Sequence, residues 1–326
     1  LLLSLMSYGI GRGDTIFTTP FTFIATAEVI SLLGAVPVFV DIEPATFNMD
    51  PTQLDLAIKA FISNNRNIYP LPKFYDSSPV KPRGVIPVNL FGLPADYNRI
   101  NEIAKFYNLF VIEDAAQSFG AEYFGKKSCS LADVGCTSFF PAKPLGCYGD
   151  GGMCFTDDDE KAAVMRSLLV HGKGEDKYDN IRIGINGRLD TLQAAILNAK
   201  FDIFPEEVEL RDKVARRYND IFSTLGLQIT IPQVHSGYRS VWAQYSVLAK
   251  DSDHRASLLK TLQDNKIPTA IYYPKPLHMQ EAFAVLGYKK GDFPVSEDMA
   301  SRIFSLPMHP YLAAEDQKKI ADIIHG

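Results

Sequence analysis

One lysine of this chain stands in an unusual setting. Lys143 lies in the segment SFFPAKPLGCYGDGG, residues 138–152, between two prolines and ahead of several glycines. Because burying an ammonium group is costly, most lysines lie on solvated surfaces. Two interpretations of Lys143 are therefore open. It is an ordinary surface residue of a long loop, or it is an amine nucleophile whose pKa is lowered by a rigid, water-poor loop.

Two carboxylates end an apolar segment upstream of this loop. Glu113 and Asp114 close the stretch LFVIED, residues 109–114. In a parallel sheet, residues at the carboxyl end of a strand face the ligand crevice. A carboxylate in that place can bind a cation or a protonated ring nitrogen. It can equally cap a helix or a turn, and the residues alone do not decide between these roles.

Taken together, Lys143 and Asp114 match the requirement of one cofactor chemistry. A lysine that forms a Schiff base and an aspartate that faces a pyridinium nitrogen are what pyridoxal phosphate needs from a protein. The aspartate keeps the ring nitrogen protonated, and the ring then accepts electrons from the bond being broken. The glycines at 146–152 would let backbone pass close to a cofactor or reach positive φ; otherwise they form a simple turn before the next strand.

Three further polar residues could serve such a site. Ser138 could donate a hydrogen bond to a phosphate. Asn186 and Arg188 lie in GINGRLDTLQAA, residues 184–195, in a loop just before a predicted helix. Such loops often bind anions. Arg188 could instead be a solvated charge, although the helix dipole disfavours a cation at a helix start.

The composition excludes several classes of protein. The 326 residues are 46% hydrophobic and 22% charged, as in a globular protein with a sizeable core. The net charge of −5 and the lack of a basic run argue against nucleic acid or an anionic membrane as partner, and no run of 18 apolar residues could span a bilayer. Four cysteines without C-x-x-C spacing predict free thiols in a reducing cytoplasm and no metal site. They are Cys129, Cys136, Cys147 and Cys154.

Apolar β-branched segments alternate with helical patterns over the first part of the chain. Strands are predicted at 15–19, 37–42, 84–92, 109–116, 134–140 and 152–156, and helices at 22–33, at 50–62 and from near Asp96. Continuous apolar strands separated by helices predict a mostly parallel sheet covered on both faces. Residues 65–83, with four prolines, predict an extended surface insertion.

The pattern changes near residue 205. A long amphipathic helix is predicted at 206–222, and short strands are predicted at 227–231, 242–249 and 268–273. These elements predict a smaller α+β domain, so we expect a large domain at 1–204 and a small domain at 205–326. At the other end, LLLSLMSYGIGRGD has the pattern of the second half of an apolar helix, and we expect further residues to precede Leu1.

Four segments carry a resemblance to a known family. They are PFTFIATAEVISLLGAVPVFVDIEPATFNMDP, VIEDAAQSFGAEYFGKKSCSLADVGCTSFFPAKPLGCYGDGGMCFTDD, GINGRLDTLQAAIL and FSLPMHPYL. Together they resemble the DegT-type sugar aminotransferases, pyridoxal phosphate enzymes of fold type I with an aspartate aminotransferase-like fold. Within the family the chain looks closest to the enzymes that aminate UDP-2-acetamido-2-deoxy-3-oxo-glucuronate on the route to bacterial surface polysaccharides, such as the O-antigen of lipopolysaccharide.

The resemblance implies a role for each residue of the cofactor site. Lys143 would form the Schiff base with pyridoxal phosphate and move protons. Asp114 would pair with the pyridinium nitrogen, and Gln117 would approach the ring hydroxyl. Phe23 would stack on the ring, and Ser138 would hold the phosphate.

The resemblance also implies a homodimer with shared sites. Asn186 would reach the phosphate from a second subunit, and Arg188 would bring its charge to an anionic part of the substrate. Tyr272 and Tyr273 would line the sugar site, although the family commonly has histidine where Tyr272 stands. A Gly-Thr pair that helps to bind the phosphate in this family would lie ahead of Leu1.

Several functions remain open at this stage. The resemblance favours transamination of a 3-oxo nucleotide sugar with glutamate as amino donor. Amination at C4 of a 4-oxo sugar is the nearest alternative. A related sugar dehydratase is disfavoured, since those enzymes carry histidine in place of the Schiff-base lysine. A non-catalytic nucleotide-sugar-binding or regulatory protein is disfavoured because Lys143, Asp114 and Gln117 are all present.

Overall fold

The computed structural model describes residues 1–73, 80–176 and 178–326. Their helices are α1 (Leu2–Ser7), α2 (Ala25–Leu32), α3 (Pro51–Ser63), α4 (Tyr97–Phe106), α5 (Asp159–Leu169), α6 (Thr191–Phe201), α7 (Phe204–Leu225), α8 (Ser252–Asp264), α9 (Pro294–Arg302) and α10 (Ala314–His325). Their strands are β1 (Asp14–Thr18), β2 (Val36–Phe39), β3 (Lys81–Ile86), β4 (Phe110–Asp114), β5 (Glu122–Tyr123), β6 (Lys126–Lys127), β7 (Val134–Ser138), β8 (Gly152–Phe155), β9 (Ile229–Thr230), β10 (Tyr238–Arg239), β11 (Tyr245–Ala249) and β12 (Ile303–Leu306).

The central sheet confirms the predicted α/β class. Its strand order is β2-β1-β3-β4-β7-β8, and every neighbouring pair is parallel except β7 with β8. Successive strand residues face opposite sides: Ile16 packs in one apolar cluster with residues of α1, α2 and α5, whereas Phe17 packs in another with residues of α3 and α4. Both faces of the sheet are therefore covered by helices.

Aspartates cap the starts of three helices in the central part of the fold. The Asp50 carboxylate accepts a hydrogen bond of 2.7 Å from Thr52 N at the start of α3. Asp96 caps α4, and Asp190 caps α6 by accepting a bond of 3.0 Å from Leu192 N. Each cap satisfies a backbone donor that the first helical turn leaves free. The cap at Asp190 fixes where the loop that carries Arg188 ends.

Some predicted boundaries are wrong, and proline explains one of them. The strand predicted at 84–92 runs from Lys81 to Ile86 and stops before Pro87, which is followed by a short 3₁₀ turn at Leu90–Gly92. Pro87 lacks the N–H that a ladder needs. The strand predicted at 268–273 is absent among the described residues, where Ala270 makes only an isolated bridge to Ser305.

The insertion predicted at 65–83 is only partly superficial. Tyr69 and Leu71 are buried in the apolar cluster that covers one face of the sheet. The Tyr69 hydroxyl accepts a hydrogen bond of 2.8 Å from Asp41 N. The beginning of this segment therefore belongs to the core, contrary to the prediction. Residues 74–79 of the segment lie outside the described residues.

The C-terminal elements form a separate sheet. Strand β11 pairs antiparallel with β12 on one side and with β9 on the other. A second apolar cluster joins this sheet to α7, α8 and α10, with Tyr218, Trp242 and Phe304 among its buried members. In the described part of the chain, no helix is both long and apolar enough to cross a membrane.

Candidate active site

Asp114 is buried at the carboxyl end of β4 and is held at both carboxylate oxygens. Thr26 Oγ1 donates a hydrogen bond of 2.7 Å to Oδ2, and Ala116 N donates one of 3.1 Å to Oδ1. Each carboxylate oxygen can accept more than one hydrogen bond. The carboxylate is thus fixed in orientation and can still accept a bond from a ligand.

Glu113 has a different environment although it is the next residue. Its side chain is fully buried and accepts hydrogen bonds from Asn89 Nδ2, Ser128 Oγ, Cys129 N and Leu131 N at 2.7–3.1 Å. Burial raises the pKa of Glu113, and these donors oppose that shift. Glu113 therefore anchors the 128–131 loop. Of the two carboxylates that end this strand, Asp114 is the one whose charge acts on Lys143.

Lys143 lies in the loop between β7 and β8 and is half-buried. Burial lowers the pKa of its ammonium group from the ordinary value, and the negative charge of Asp114 opposes that shift. A lysine with a lowered pKa carries a larger fraction of neutral, nucleophilic amine. Partial burial and a lowered pKa are the properties that the second interpretation of Lys143 requires.

The glycines of this loop allow it to pack closely on itself. A Cβ at Gly146 would lie 2.6 Å from Pro141 O, and a Cβ at Gly152 would lie 2.7 Å from Thr137 O. None of the glycines at 146, 149, 151 and 152 has a positive φ, so that part of the prediction is wrong. Close backbone contact is what requires glycine here.

Gln117 is buried, and its amide has a determined orientation. Its Oε1 accepts a hydrogen bond of 2.7 Å from Phe91 N, and its Nε2 donates one of 3.1 Å to the Tyr273 hydroxyl. Because a backbone N–H can bond only to the oxygen of the amide, the NH₂ group is directed to the Tyr273 side. Burial raises the pKa of Tyr273, so its hydroxyl stays protonated and can donate in turn.

Aromatic rings surround this pair. The centroid of the Tyr273 ring lies 6.3 Å from that of Phe23 and 5.9 Å from that of Tyr272. The Phe23 side chain is 56% exposed, although the segment around it is mostly buried. An exposed aromatic ring beside buried polar groups offers a flat apolar surface to a ligand.

Ser138 lies at the end of β7, one strand away from Asp114. Its Oγ accepts a hydrogen bond of 3.2 Å from Phe140 N, and the side chain is half-buried. The serine proton is thus free to donate to an anion. Strands β4 and β7 are parallel neighbours with Asp114 opposite Cys136. Ser138 and Asp114 therefore share one edge of the sheet.

Asn186 and Arg188 are not joined to this group. Both side chains are exposed, and the backbone of Asn186 forms an isolated bridge with Val170. Within residues 1–73, 80–176 and 178–326, no hydrogen bond or ion pair links Asn186 or Arg188 to Asp114, Gln117 or Lys143. The chain by itself thus brings together the cofactor-side residues and leaves these two apart.

Sequence reasoning missed Thr26 and the Phe91 backbone. Thr26 stands in TFIATAEV, a helical pattern in which nothing marks its hydroxyl as special. Phe91 has φ 58°, in the left-handed region where non-glycine residues are uncommon, and its N–H is directed at Gln117. Both contacts join positions far apart in the sequence, so no local pattern could have revealed them.

Comparisons with known proteins agree with one another. The model of the DegT/DnrJ/EryC1/StrS aminotransferase family matches residues 1–325. The UDP-2-acetamido-2-deoxy-3-oxo-D-glucuronate aminotransferase of Pseudomonas aeruginosa is 47% identical over 307 residues, covering 94% of this chain and 77% of that protein. A DegT DnrJ EryC1 StrS aminotransferase from Brucella abortus is 50% identical with a TM-score of 0.91, over 99% of this chain and 82% of that one. NtdA from Bacillus subtilis, solved with bound cofactor PMP, is 27% identical with a TM-score of 0.84, over 99% of this chain and 70% of that one.

Proposed function

Because the chain belongs to the DegT/DnrJ/EryC1/StrS aminotransferase family, we propose that it transfers an amino group from glutamate to UDP-2-acetamido-2-deoxy-3-oxo-glucuronate. It is an aminotransferase, and its cofactor is pyridoxal phosphate. The choice of sugar is supported by the 47% identity to the Pseudomonas aeruginosa enzyme named for that substrate. The observation that carries the proposal is the half-buried Lys143, whose pKa is lowered by burial and which feels the charge of Asp114, a carboxylate held at both oxygens.

The residues at this edge of the sheet fit a flat, phosphorylated pyridine. Lys143 offers an amine whose pKa is lowered, Asp114 a buried carboxylate and Gln117 an amide donor. Phe23 offers an exposed ring, and Ser138 a hydroxyl at the end of a strand. When bound, the cofactor supplies a ring that accepts the electrons of the broken bond.

Each of these residues has one task in the proposal. Lys143 binds the cofactor through Nζ and then carries a proton on that nitrogen during transfer. The Asp114 carboxylate holds a proton at the ring nitrogen, and Gln117 meets the ring hydroxyl. Phe23 covers one face of the ring and excludes water from it. Ser138 donates to the phosphate.

The remaining residues serve the substrate and require a second copy of the chain. We place Tyr272 and Tyr273 at the sugar, on the side of the site formed by this copy. Asn186 reaches the phosphate bound to the other subunit, and Arg188 meets an anionic group of the sugar nucleotide there, since a guanidinium binds carboxylate or phosphate with two parallel bonds.

Exposed apolar side chains support the homodimer. The segment that carries Arg188 and the helix after it expose large apolar residues, as monomeric surfaces rarely do in such number. These are Tyr178 at 85%, Ile181 at 57%, Ile183 at 91%, Leu192 at 72% and Phe201 at 51% exposure. A second copy that covers this surface would also bring its own Asn186 and Arg188 to the neighbouring site.

Three further features complete the proposal. We place a large domain at 1–204 and a smaller α+β domain at 205–326, a division supported by the separate sheet of β9, β11 and β12 and by the apolar cluster that joins this sheet to α7, α8 and α10. The four free cysteines support a reducing, cytoplasmic location. The product serves surface polysaccharide biosynthesis, as O-antigen or lipopolysaccharide sugar.

The substrate is tested with a panel of 3-oxo and 4-oxo nucleotide sugars. Each is offered with glutamate to the cofactor-loaded protein, and the amino sugar is identified by mass and NMR. We expect an amino group at C3 of the uronic acid substrate. A product aminated only at C4 would replace the proposal with its nearest alternative. No turnover on any sugar, by a protein that binds the cofactor, would indicate a regulatory or binding role.

The shared site is tested by mixing two impaired variants at a sugar concentration well below the native KM, where Arg188→Ala is slow because it binds the sugar poorly. Lys143→Ala and Arg188→Ala subunits, exchanged and re-associated, form mixed dimers in which one site holds both intact residues. We expect up to about a quarter of native activity to return. The matched control mixes Lys143→Ala with Asp114→Asn, which lie on the same chain in each site, and should restore nothing. Equal recovery in both mixtures, or none in the first, would contradict the shared site.

A further inference from the structure

We infer that Thr26 is a positioning residue for Asp114, an inference that rests on the role proposed above for that carboxylate. Thr26 lies in the first turn of α2, and Asp114 lies at the end of β4. Their side chains meet at 2.7 Å, from Thr26 Oγ1 to Asp114 Oδ2, across 88 positions of the sequence. Both residues are buried, with Thr26 at 1% and Asp114 at 4% exposure.

The Thr26 hydroxyl donates to the carboxylate and not to its own helix. The hydroxyl of a helical threonine commonly donates to the backbone carbonyl one turn earlier. A hydroxyl bonded in that way could not also donate to a carboxylate on another element. Here the two partners of Oγ1 are Asp114 Oδ2 and Thr22 Oγ1, the latter at 3.2 Å. A hydroxyl has one proton, and the carboxylate is the stronger acceptor. The Thr22 hydroxyl is therefore the donor to Thr26, and the pair points toward Asp114.

This contact determines how the carboxylate faces a ligand. Ala116 N holds Oδ1 from the chain that follows β4, and Thr26 holds Oδ2 from a different element. With one bond at each oxygen, rotation of the carboxylate about its Cβ–Cγ bond is restricted. A group that must meet a ring nitrogen works only when it is held near the productive geometry. Thr26, which belongs to α2, therefore supplies the restraint at Oδ2, and Ala116 supplies the restraint at Oδ1.

The same segment also carries Phe23. The residues from Thr22 to Thr26 thus include the exposed ring of Phe23 and the buried hydroxyl of Thr26. The ring faces the ligand directly, whereas the hydroxyl acts only through Asp114. Removal of the Thr26 hydroxyl should therefore weaken the interaction of Asp114 with the ring nitrogen. The contacts of the substrate should stay unchanged.

The test compares three variants of the full chain. Thr26→Val has a similar shape and lacks the donor, Thr26→Ser keeps the donor, and Thr15→Val is the matched control. Thr15 is fully buried in β1, and its hydroxyl has no partner among the described residues. For Thr26→Val we expect kcat to fall about tenfold with the KM of the sugar unchanged. We also expect weaker binding of pyridoxal phosphate in a visible-absorption titration.

Thr26→Ser should restore kcat and cofactor affinity to near the native values, and Thr15→Val should leave both unchanged. A merely structural role would instead lower the Tm of Thr26→Val and leave its folded fraction with normal kcat. Loss of activity in Thr26→Val together with Thr26→Ser, at equal Tm, would also overturn the inference.

A double-mutant cycle separates this inference from the proposed function. If Thr26 acts through Asp114, then adding Thr26→Val to Asp114→Asn should change kcat by less than about twofold. A full tenfold effect in that background would show that Thr26 acts by another route. Near-native kcat in Asp114→Asn alone would contradict the role of Asp114 itself, whereas a slow Asp114→Asn with a native-like Thr26→Val would contradict only the inference on Thr26.

Discussion

The proposed function joins two regions of this molecule in one site, and the two regions are built in opposite ways. At the carboxyl edge of the central sheet, the Asp114 carboxylate and the Gln117 amide each have hydrogen-bond partners from their own chain. In the segment before α6, Asn186 and Arg188 are exposed, and the apolar residues around them lie open as well. The first region holds its polar side chains through contacts within one chain, and the second leaves Asn186 and Arg188 exposed.

The two regions differ because one buries its polar side chains and the other exposes them. Buried polar groups are costly unless they are bonded, so the cofactor side must be ordered before any ligand arrives. An exposed arginine among exposed apolar side chains has no such constraint until another surface covers it. We therefore expect substitutions in the first region to reduce the chemical step, and those in the second to reduce binding and association.

The largest effect should come from Lys143→Ala. Without the amine, transfer should fall roughly 10³-fold or more, because the variant loses both the covalent link to the cofactor and the proton carrier. Lys127→Ala is the matched control, since Lys127 is a surface lysine that pairs with Glu122. Rates are measured with glutamate and the sugar, and circular dichroism checks the fold. If Lys143→Ala retained transamination, Lys143 would be an ordinary loop residue and not the catalytic amine.

Asp114→Asn should come next, with kcat lower by about 10²-fold and the cofactor partly retained. A neutral amide cannot favour a positive charge on the ring nitrogen. Glu113→Gln is the matched comparison, because Glu113 is the neighbouring carboxylate and accepts four hydrogen bonds inside the protein. That variant should lose about 1–3 kcal/mol of stability, seen as a lower Tm, because a donor loses its acceptor. The reverse pattern, a stable but slow Glu113→Gln and a fast Asp114→Asn, would exchange the two roles.

Arg188→Lys should have a smaller effect, and on binding alone. The lysine keeps the charge and loses the two-pronged contact, so the KM of the nucleotide sugar should rise about tenfold at fixed glutamate with kcat little changed. Arg216→Lys is the control, since Arg216 is 75% exposed on α7 and pairs with Asp212. An unchanged KM in Arg188→Lys would remove Arg188 from the substrate site.

The smallest effect concerns the pH at which the apoprotein captures its cofactor. Capture needs the neutral amine of Lys143, whose pKa is lowered by burial, so the rate should reach its half-maximum at a pH below the ordinary lysine value of about 10.4. The negative charge of Asp114 raises that pKa, so Asp114→Asn should move the midpoint lower still. The rate of the visible absorbance change is followed across pH. A midpoint that rises in Asp114→Asn would show that the charge of Asp114 does not act on Lys143.

Much of the fold could be predicted because its signals are local. The alternation of apolar strands with helices predicted the mostly parallel sheet, and the helix predicted at 50–62 matches α3 closely. The errors arose where strand formation depends on pairing with a distant segment. PTAIYY, residues 268–273, has the composition of a strand, yet its pairing is limited to an isolated bridge from Ala270 to Ser305 of β12. A composition typical of strands indicates that a segment lies in an apolar environment. Whether the segment joins a sheet depends on hydrogen bonding to a neighbouring strand.

Residue types and their spacing were enough to indicate the cofactor chemistry, because a lysine in a rigid loop downstream of a strand-ending carboxylate is a pattern in chain order. The family, and the roles of residues such as Gln117 and Phe23, came from the resemblance of four sequence segments. The difference between Glu113 and Asp114, the orientation of the Gln117 amide and the contact of Thr26 with Asp114 emerge only in the folded chain. Each of these depends on which side of a strand a side chain faces and on a partner brought in by a distant element. Hydrogen bonds act over about 3 Å, so chain order alone cannot reveal which distant groups meet.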